Sequence, residues 1–314
     1  MRIRRVQRKA SGLDLIFMLL LCGIGVPFVL RANGAPAENA RRPSLRVLTR
    51  VPFQASGSSM SLKVMVNGQG PFPFGWDTGA SQAAWVTRAL VEELHLPVIE
   101  GYRVSDGTGV NSRNADGVRI DTLRLGDVSF HQVLAPVLGD GPKNDGDGEA
   151  YGTLGFEMFK DYVVTYDYPG KELRIATGHL PKPDGKTILN YILDRGSPRV
   201  LIQIGGLSLN AWIDTGNPGT IHLPLSLADK LSLRTPLRHD GRIASTLNEV
   251  DLYRSELSGD VHIGKATIHD PDLMFSELVR DANLGRGALR GFAITFDERH
   301  RRLWLQPSSR QNER

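Results

Sequence analysis

The tripeptide Asp-Thr-Gly occurs twice in this sequence, once in each half, and the repeat extends well beyond the tripeptide. The copies are Asp77-Thr78-Gly79 and Asp214-Thr215-Gly216, and the same shift of 137 positions superimposes the apolar residues that follow them. A repeated unit of about half the chain is too long for a solenoid. The two halves are therefore predicted to be two copies of one lobe. Two later blocks align in the same order, at shifts of 138 and 130: Leu125-Gly126 with Ile263-Gly264, and Thr165-Tyr166-Asp167 with Thr295-Phe296-Asp297.

Each Asp-Thr-Gly copy follows a predicted β-hairpin. Apolar and polar residues alternate over residues 62–76 on either side of a turn at residues 67–70, and a similar pattern over residues 201–213 surrounds Gly205-Gly206. Alternation interrupted by a Gly-containing turn is typical of hairpins. Each aspartate is therefore predicted to lie in a turn just beyond a buried strand.

The remaining patterns indicate an all-β fold with minor short helices. Short amphipathic helices are predicted at residues 87–94 and 226–231, with Thr87 and Ser226 as N-caps. Elsewhere the apolar runs are short, rich in β-branched and aromatic residues, and interrupted by Gly and Asp. The acidic, Gly-rich residues 139–149 are predicted to form a mobile loop, and the lobes are expected to join at residues 181–186.

The N-terminal segment has the composition of an export signal. Basic residues at positions 2–9 precede an apolar run at residues 15–30 and the small-x-small pattern Ala35-Pro36-Ala37. A retained membrane anchor is the alternative, because the run is near the short end of what spans a bilayer. We expect an exported protein, periplasmic or otherwise extracytoplasmic, either secreted after cleavage or tethered to the membrane through residues 15–30.

The basic charge of the chain belongs to this segment. Residues 1–37 hold six of the 38 Lys and Arg residues and one of the 34 Asp and Glu residues, which leaves 32 basic against 33 acidic residues in the remainder. The body therefore offers no net basic field for nucleic acid. The single cysteine, Cys22, lies in the apolar run, so the body is predicted to have neither disulfides nor thiol chemistry.

Two aspartates held in matching loops are suited to hydrolysing an amide. Two carboxylates a few ångströms apart cannot both ionise, so one can deprotonate a water while the other protonates the carbonyl oxygen. Gly79 and Gly216 permit the tight turns, and the hydroxyls of Thr78 and Thr215 can bond to the opposite loop. The alternative for each aspartate is an ordinary turn residue that caps its own loop.

The chain resembles the aspartic peptidase superfamily, in which retroviral-type enzymes pair two one-lobe subunits and pepsin-type enzymes fuse two lobes. Asp77-Thr78-Gly79-Ala80-Ser81 resembles the retroviral-type motif. Gly152–Gly155 resembles the hydrophobic-Gly segment behind the active-site loop, and residues 283–285 are a degraded second copy. The resemblance covers residues 60–306.

This resemblance implies two duplicated pepsin- or retropepsin-like β-barrel lobes with an active-site cleft between them. It implies that the catalytic residues are Asp77 and Asp214, without a metal ion or cofactor. The supporting active-site loops would contain Thr78, Gly79, Ser81, Thr215 and Gly216.

The family also carries a β-hairpin flap over the cleft. Residues 102–118 occupy the corresponding place and have suitable turn chemistry, and residues 242–248 occupy the equivalent place in the second half. The alternative is an ordinary surface hairpin. The candidate flap and substrate-binding residues are Tyr102, Asp106, Gly107, Thr108 and Gly109.

The second copy departs from the family pattern, because Asn217-Pro218 follow Gly216 where the family has Ala or Ser followed by Ser or Thr. A hydroxyl partner expected beside the motif is therefore missing, or its place is taken by Thr220. Two functions stay open: an aspartic endopeptidase, or a catalytically inactive peptide-binding or scaffolding protein of the cell envelope with the same fold. We expect a monomer that acts on polypeptide and binds no nucleic acid.

The predicted domains follow from the repeat and the N-terminal composition. They are a signal peptide or membrane anchor (residues 1–37), a linker (38–59), an N-terminal lobe (60–182), a C-terminal lobe (187–306) and a polar tail (307–314).

Overall fold

A computed structural model of the chain describes residues 43–56, 59–105, 112–140, 143–144, 149–244 and 249–307, and most of these residues lie in β-strands. The strands of the first half are β1 (Ser44–Pro52), β2 (Gln54–Ser56), β3 (Ser59–Val66), β4 (Gln69–Asp77), β5 (Ala84–Val86), β6 (Val98–Ser105), β7 (Ser112–Leu125), β8 (Val128–Pro136), β9 (Lys143–Asn144), β10 (Glu149–Ala150), β11 (Gly152–Gly155), β12 (Val163–Asp167) and β13 (Glu172–His179). Those of the second half are β14 (Ile188–Asn190), β15 (Ile192–Asp194), β16 (Ser197–Ile204), β17 (Leu207–Ile213), β18 (Ile221–Pro224), β19 (Arg238–Ala244), β20 (Glu249–Glu256), β21 (Val261–Ile263), β22 (Ala266–Ile268), β23 (Asp272–Ser276), β24 (Ala282–Leu284), β25 (Phe292–Asp297) and β26 (Arg302–Pro307).

Each half of the chain builds its own curled sheet. The N-terminal sheet has the order β5-β11-β4-β3-β7-β6, with β2 paired to β3 and β8 to β7. The C-terminal sheet has the order β19-β20-β23-β18-β24-β17-β16-β21-β22, with β15 paired to β16. In both sheets the strand that delivers Asp-Thr-Gly, β4 or β17, lies between its hairpin partner and a short parallel strand, β11 or β24. The predicted all-β fold with two duplicated lobes is confirmed.

A third sheet, called the shared sheet below, takes strands from both halves in the order β1-β13-β12-β25-β26-β14. At its centre β12 and β25 run antiparallel, and Thr165 lies directly opposite Thr295. These strands carry the third block of the sequence repeat. The two copies therefore meet in a continuous hydrogen-bonded sheet, in addition to being joined by the connection between β13 and β14.

Part of the predicted linker at residues 38–59 is corrected by this sheet. Strand β1 pairs with β13 along its length, and β2 pairs with β3. Val51 and Phe53 are buried in the core, although the segment is rich in Ser, Arg and Pro. Only a minority of side chains on this edge strand face the core, so its composition is that of a linker while its backbone is fully part of a sheet.

Matching tight turns set the register of the two hairpins that lead to the aspartates. The turn between β3 and β4 has φ of 49° at Asn67 and 81° at Gly68, and the turn between β16 and β17 has φ of 54° at Gly205 and 81° at Gly206. Two consecutive residues with positive φ form a type I′ turn, which matches the twist of the paired strands. The predicted hairpins are confirmed.

The two predicted helices have different outcomes. Helix α1 (Arg88–Glu93) begins after Thr87, whose hydroxyl accepts the Leu90 N–H, as predicted. The prediction of an α-helix at residues 226–231 is wrong, since the segment forms a 3₁₀ turn, Leu225–Lys230, without a side-chain cap. Pro224 takes the N-cap position there, so Ser226 lies inside the turn. A second 3₁₀ turn is Phe156–Phe159, and helix α2 is Arg286–Leu289.

Several sequence predictions fall on residues outside the described ones. These are the N-terminal signal or anchor, most of the loop at residues 139–149, and the polar tail apart from its first residue. Across the described ranges, no helix combines the length and the apolar composition needed to cross a bilayer.

Candidate active site

The two Asp-Thr-Gly loops are supported from behind in the same way. In the first lobe Gly155, at the end of β11, lies beside Asp77, and the Phe156 N–H donates to the Ala80 carbonyl at 3.0 Å. In the second lobe the Arg286 N–H donates to the Asn217 carbonyl at 2.8 Å. Residues 283–285 therefore keep the backbone geometry of their counterpart despite the altered sequence.

The threonines of the two loops bond across the lobe interface. The Thr78 hydroxyl accepts the Thr215 N–H at 3.0 Å and donates to the Ile213 carbonyl at 2.5 Å. The Thr215 hydroxyl accepts the Thr78 N–H at 2.9 Å and donates to the Trp76 carbonyl at 3.1 Å. Both threonines are fully buried. Because each hydroxyl satisfies two backbone groups of the opposite lobe, the loops are fixed relative to each other.

The carboxyl groups of Asp77 and Asp214 face each other at this interface. Burial raises the pKa of Asp77 to about 7, and the charge of the neighbouring Asp214 acts in the same direction. The glycine of each loop covers the opposite carboxyl. A Cβ on Gly79 would lie 2.7 Å from Asp214 Oδ1, and one on Gly216 would lie 2.5 Å from both carboxyl oxygens of Asp77. Larger residues would therefore separate the pair.

The donors around the two carboxyl groups differ. Asp77 Oδ1 accepts the Gly79 N–H at 2.7 Å. Asp214 Oδ1 accepts the N–H groups of Gly216 and Asn217 at 3.0 and 3.1 Å. Asp214 Oδ2 accepts the side-chain amide of Asn283 at 2.7 Å. Both oxygens of Asp214 are therefore held in place.

The hydroxyl that the second copy lacks is replaced by an amide. Thr220, the expected substitute, donates to the Asp272 carbonyl at 2.7 Å. Among the described residues it makes no hydrogen bond to Asp77 or Asp214. Asn283 orients Asp214 instead, and its own side-chain oxygen accepts from Asn217 at 2.9 Å. From the sequence, Asn283 is identified only as the first residue of the degraded segment 283–285, and no role is predicted for it. Its place in that segment is the one signal that could have found it.

Ser81 and Ser197 also differ from expectation. Ser81, predicted to support the first loop, lies against Gly196, and within the described ranges its side chain has no hydrogen bond to Asp77. Ser197, at the start of β16, donates to the Gly79 carbonyl at 2.9 Å and is buried. It adds another tie between the lobes, and nothing in the local sequence indicates it.

The flap candidate is a hairpin formed by β6 and β7. Tyr102 pairs with Ala115 across this hairpin, and its ring covers Gly117. The hairpin formed by β19 and β20 is its counterpart in the second lobe. The remaining flap candidates, Asp106, Gly107, Thr108 and Gly109, lie outside the described residues.

A cavity of about 1110 Å³ lies elsewhere, beside the shared sheet, and neither aspartate lines it. Its lining includes Asp167 and Arg174, which form an ion pair with each other. Among the described side chains, no three His, Cys, Asp or Glu residues are grouped as metal ligands would be.

Comparison with known proteins supports a relationship to the aspartic peptidases. Residues 62–158 match the aspartyl protease family model, and this range contains Asp77 but ends before Asp214. No curated protein matches the chain. Among solved structures the chain is similar to basic 7S globulin from soybean, with 13% identity over 86% of this chain and 96% of that one and a TM-score of 0.48. The chain is related to the aspartic peptidase superfamily.

Proposed function

We propose that the protein is an aspartic endopeptidase that hydrolyses peptide bonds with a water activated between Asp77 and Asp214. The observation that carries the proposal is the placement of the two carboxyl groups, since a Cβ on Gly79 would lie 2.7 Å from Asp214 Oδ1 and 3.0 Å from Asp77 Oδ1. Burial and the neighbouring charge of Asp214 raise the pKa of Asp77. A pair that shares one proton contains an acid and a base at the same pH. Matching loops from the two lobes hold the pair, and the threonine bonds fix its geometry.

The reaction follows from this pair. The ionised carboxylate takes a proton from water as the water oxygen bonds to the peptide carbon, and the protonated carboxyl gives its proton to the carbonyl oxygen. When the tetrahedral intermediate collapses, the carbonyl re-forms and returns a proton to one carboxyl. The C–N bond breaks as the leaving nitrogen takes a proton from the other. The pair ends in its starting state.

The substrate in this proposal is an extended polypeptide held between the lobes. The hairpin β6–β7 acts as the flap, and closure of such a hairpin excludes water and orients the peptide. The proposed contacts to substrate are Tyr102 on this hairpin and the flap candidates Asp106, Gly107, Thr108 and Gly109.

The proposal is tested by incubating the full-length protein with a peptide mixture from pH 3 to pH 8 and identifying products by mass spectrometry. Asp77→Asn and Asp214→Asn should each lower kcat by at least about a thousandfold, because each removes the acid–base pair. Asp121→Asn changes an exposed aspartate on β7 and is the matched control. Circular dichroism should show all three variants folded.

The second candidate function is the inactive peptide-binding or scaffolding protein. The argument for it is that Asn217-Pro218 stand where the family has Ala or Ser followed by Ser or Thr. The structure weakens the reason for it, since Asn283 orients Asp214 in place of the missing hydroxyl. Peptides that bind the wild-type protein but are never cut at any pH would replace the endopeptidase with this alternative.

We also propose that the protein acts outside the cytoplasm. The support is the basic N-terminus followed by the apolar run at residues 15–30 and the Ala35-Pro36-Ala37 pattern. The mass of the protein isolated from its native compartment distinguishes a chain that starts near Glu38 from one that retains its anchor.

A further inference from the structure

Asp214 differs from Asp77 in receiving a side-chain donor. Asp77 Oδ1 accepts the backbone N–H of Gly79. Asp214 accepts the backbone N–H groups of Gly216 and Asn217 and, in addition, the Asn283 amide at 2.7 Å, the shortest of its hydrogen bonds. The two members of the pair are therefore electrostatically unequal.

The direction of the bond from Asn283 is fixed by a chain of three hydrogen bonds. The Gly219 N–H donates to Asn217 Oδ1 at 2.8 Å. Asn217 Nδ2 then donates to Asn283 Oδ1 at 2.9 Å, and Asn283 Nδ2 donates to Asp214 Oδ2 at 2.7 Å. A backbone N–H can only donate, so the oxygen of Asn217 must face Gly219. With Asn217 in this orientation, the NH₂ group of Asn283 must face Asp214.

The first copy of the repeat lacks this chain. The residue that corresponds to Asn217 is Ala80, which has no side-chain donor, and the one that corresponds to Asn283 is Thr153. Thr153 lies on β11 opposite Gly75, and its hydroxyl lies 3.1 Å from the position of a Cβ on that glycine. Both amides are therefore additions that belong to the second lobe alone.

We propose that Asn283 is a positioning residue that holds Asp214 as the ionised member of the pair, and that Asn217 orients Asn283. This inference rests on the proposed endopeptidase function. Donors to a carboxylate favour its charged form, and the amide of Asn283 is directed at Asp214. The shared proton therefore lies on Asp77, which protonates the carbonyl oxygen, while Asp214 accepts the proton of the water.

The other charged and titratable groups near Asp214 do not change this assignment. Asp77 is its partner in the pair. Tyr168 interacts with the charge of Asp214, but burial holds the pKa of Tyr168 well above its usual value, so it stays neutral. Arg286 follows the segment whose Leu284 carbonyl accepts the Asp214 N–H, and a guanidinium charge favours ionised carboxylates nearby.

The test uses full-length Asn283→Leu, which removes the amide at nearly constant side-chain size. Two measurements are made, the pH profile of kcat on a peptide that the wild type cleaves, and a ¹³C NMR titration of the aspartate carboxyl groups. The pH at the midpoint of the acidic limb of the kcat profile should rise by about one unit. The lower apparent pKa of the aspartate pair should rise by the same amount. At the acidic end kcat should fall about tenfold while KM changes little. A merely structural role would lower kcat at every pH without moving the limb.

Two further variants control the experiment. Asn217→Ala gives the second loop the residue of the first and should shift the acidic limb in the same direction by a smaller amount, because Asn283 loses its orienting partner. If Asn283→Leu does not fold, Asn217→Ala still tests whether the Asn283 amide sets the ionisation of Asp214. Thr153→Val changes the matched position of the first copy and should leave the limb where it is in the wild type.

An unmoved acidic limb and an unmoved carboxyl titration in the folded asparagine variants would overturn the inference, and so would an equal shift in Thr153→Val. The carboxyl titration needs no turnover. If the wild type cleaves no peptide, the proposed function fails while the titration still decides whether Asn283 sets the ionisation of Asp214.

Discussion

The hydroxyls of Thr165 and Thr295 lie 2.9 Å apart, directly opposite each other at the centre of the shared sheet. The two residues are separated by the 130 positions of the third repeat block, so each is the counterpart of the other. Both are buried. The two copies of the repeat therefore meet at equivalent residues, in a pairing that has approximate twofold symmetry.

The first prediction concerns this threonine pair. Thr165→Val and Thr295→Val should each lower the free energy of unfolding by about 1–3 kcal/mol, because one buried hydroxyl loses its partner. The double variant should cost less than the sum of the two, since it leaves no unpaired hydroxyl. Urea unfolding of all four proteins measures the coupling, and strictly additive values would show that the hydroxyls do not interact.

The sequence predicts the parts of the site that depend on local pattern and on the repeat. Hairpin alternation and turn glycines predict where each aspartate lies along its lobe, and the shift of 137 positions matches Thr78 with Thr215. Asn283 could not be predicted as a partner of Asp214, because the two residues are 69 positions apart and meet only through strand pairing. Strand β1 could not be predicted for the same reason. Its composition is that of a linker, and it forms a strand by pairing with the distant β13.

The second prediction concerns the bonds between the active-site loops. Thr78→Val should lower the free energy of unfolding by about 2–4 kcal/mol, because the Thr215 N–H and the Ile213 carbonyl both lose a buried partner. Thr78→Ser keeps the hydroxyl and should cost at most about 1 kcal/mol. Denaturant unfolding and peptide hydrolysis are measured on both. A valine variant as stable as the serine variant would contradict the role of these bonds.

The third prediction is a pH dependence of stability caused by Asp77. The pKa of Asp77 rises from 3.8 to about 7 on folding, so between these values the native state binds more protons than the unfolded state. The free energy of unfolding should therefore fall as pH rises from about 4 to 7. Asp77→Asn removes this loss. Its free energy of unfolding should equal that of the wild type near pH 4 and exceed it by on the order of 2–4 kcal/mol near pH 7. Asp121→Asn, which changes an exposed aspartate on β7, is the control for the substitution itself.

The fourth prediction concerns Glu298, a buried residue just after β25. Burial raises the pKa of Glu298 to about 7, against the opposing charge of Arg301. The sign is the same as for Asp77, so its ionisation between pH 4.5 and 7 opposes folding. Glu298→Gln should be more stable than the wild type at pH 7 and equal to it near pH 4. Thermal unfolding across this range measures the difference, and Glu92→Gln on the exposed face of α1 is the control. A constant offset between Glu298→Gln and the wild type would contradict the predicted titration.

The fifth prediction concerns strand β1, where two valines on one strand have opposite environments. Val51 is 5% exposed and packs in the core, whereas Val47 is 42% exposed. Val51→Ala should lower the free energy of unfolding by about 2 kcal/mol, because it removes two buried methyl groups and leaves a cavity. Val47→Ala should change it by less than about 0.5 kcal/mol. Urea unfolding of the full-length variants measures both. Equal, negligible effects would mean that residues 44–52 behave as a linker, whereas the predicted difference means that the shared sheet extends to β1 and that the folded unit begins before the first repeat.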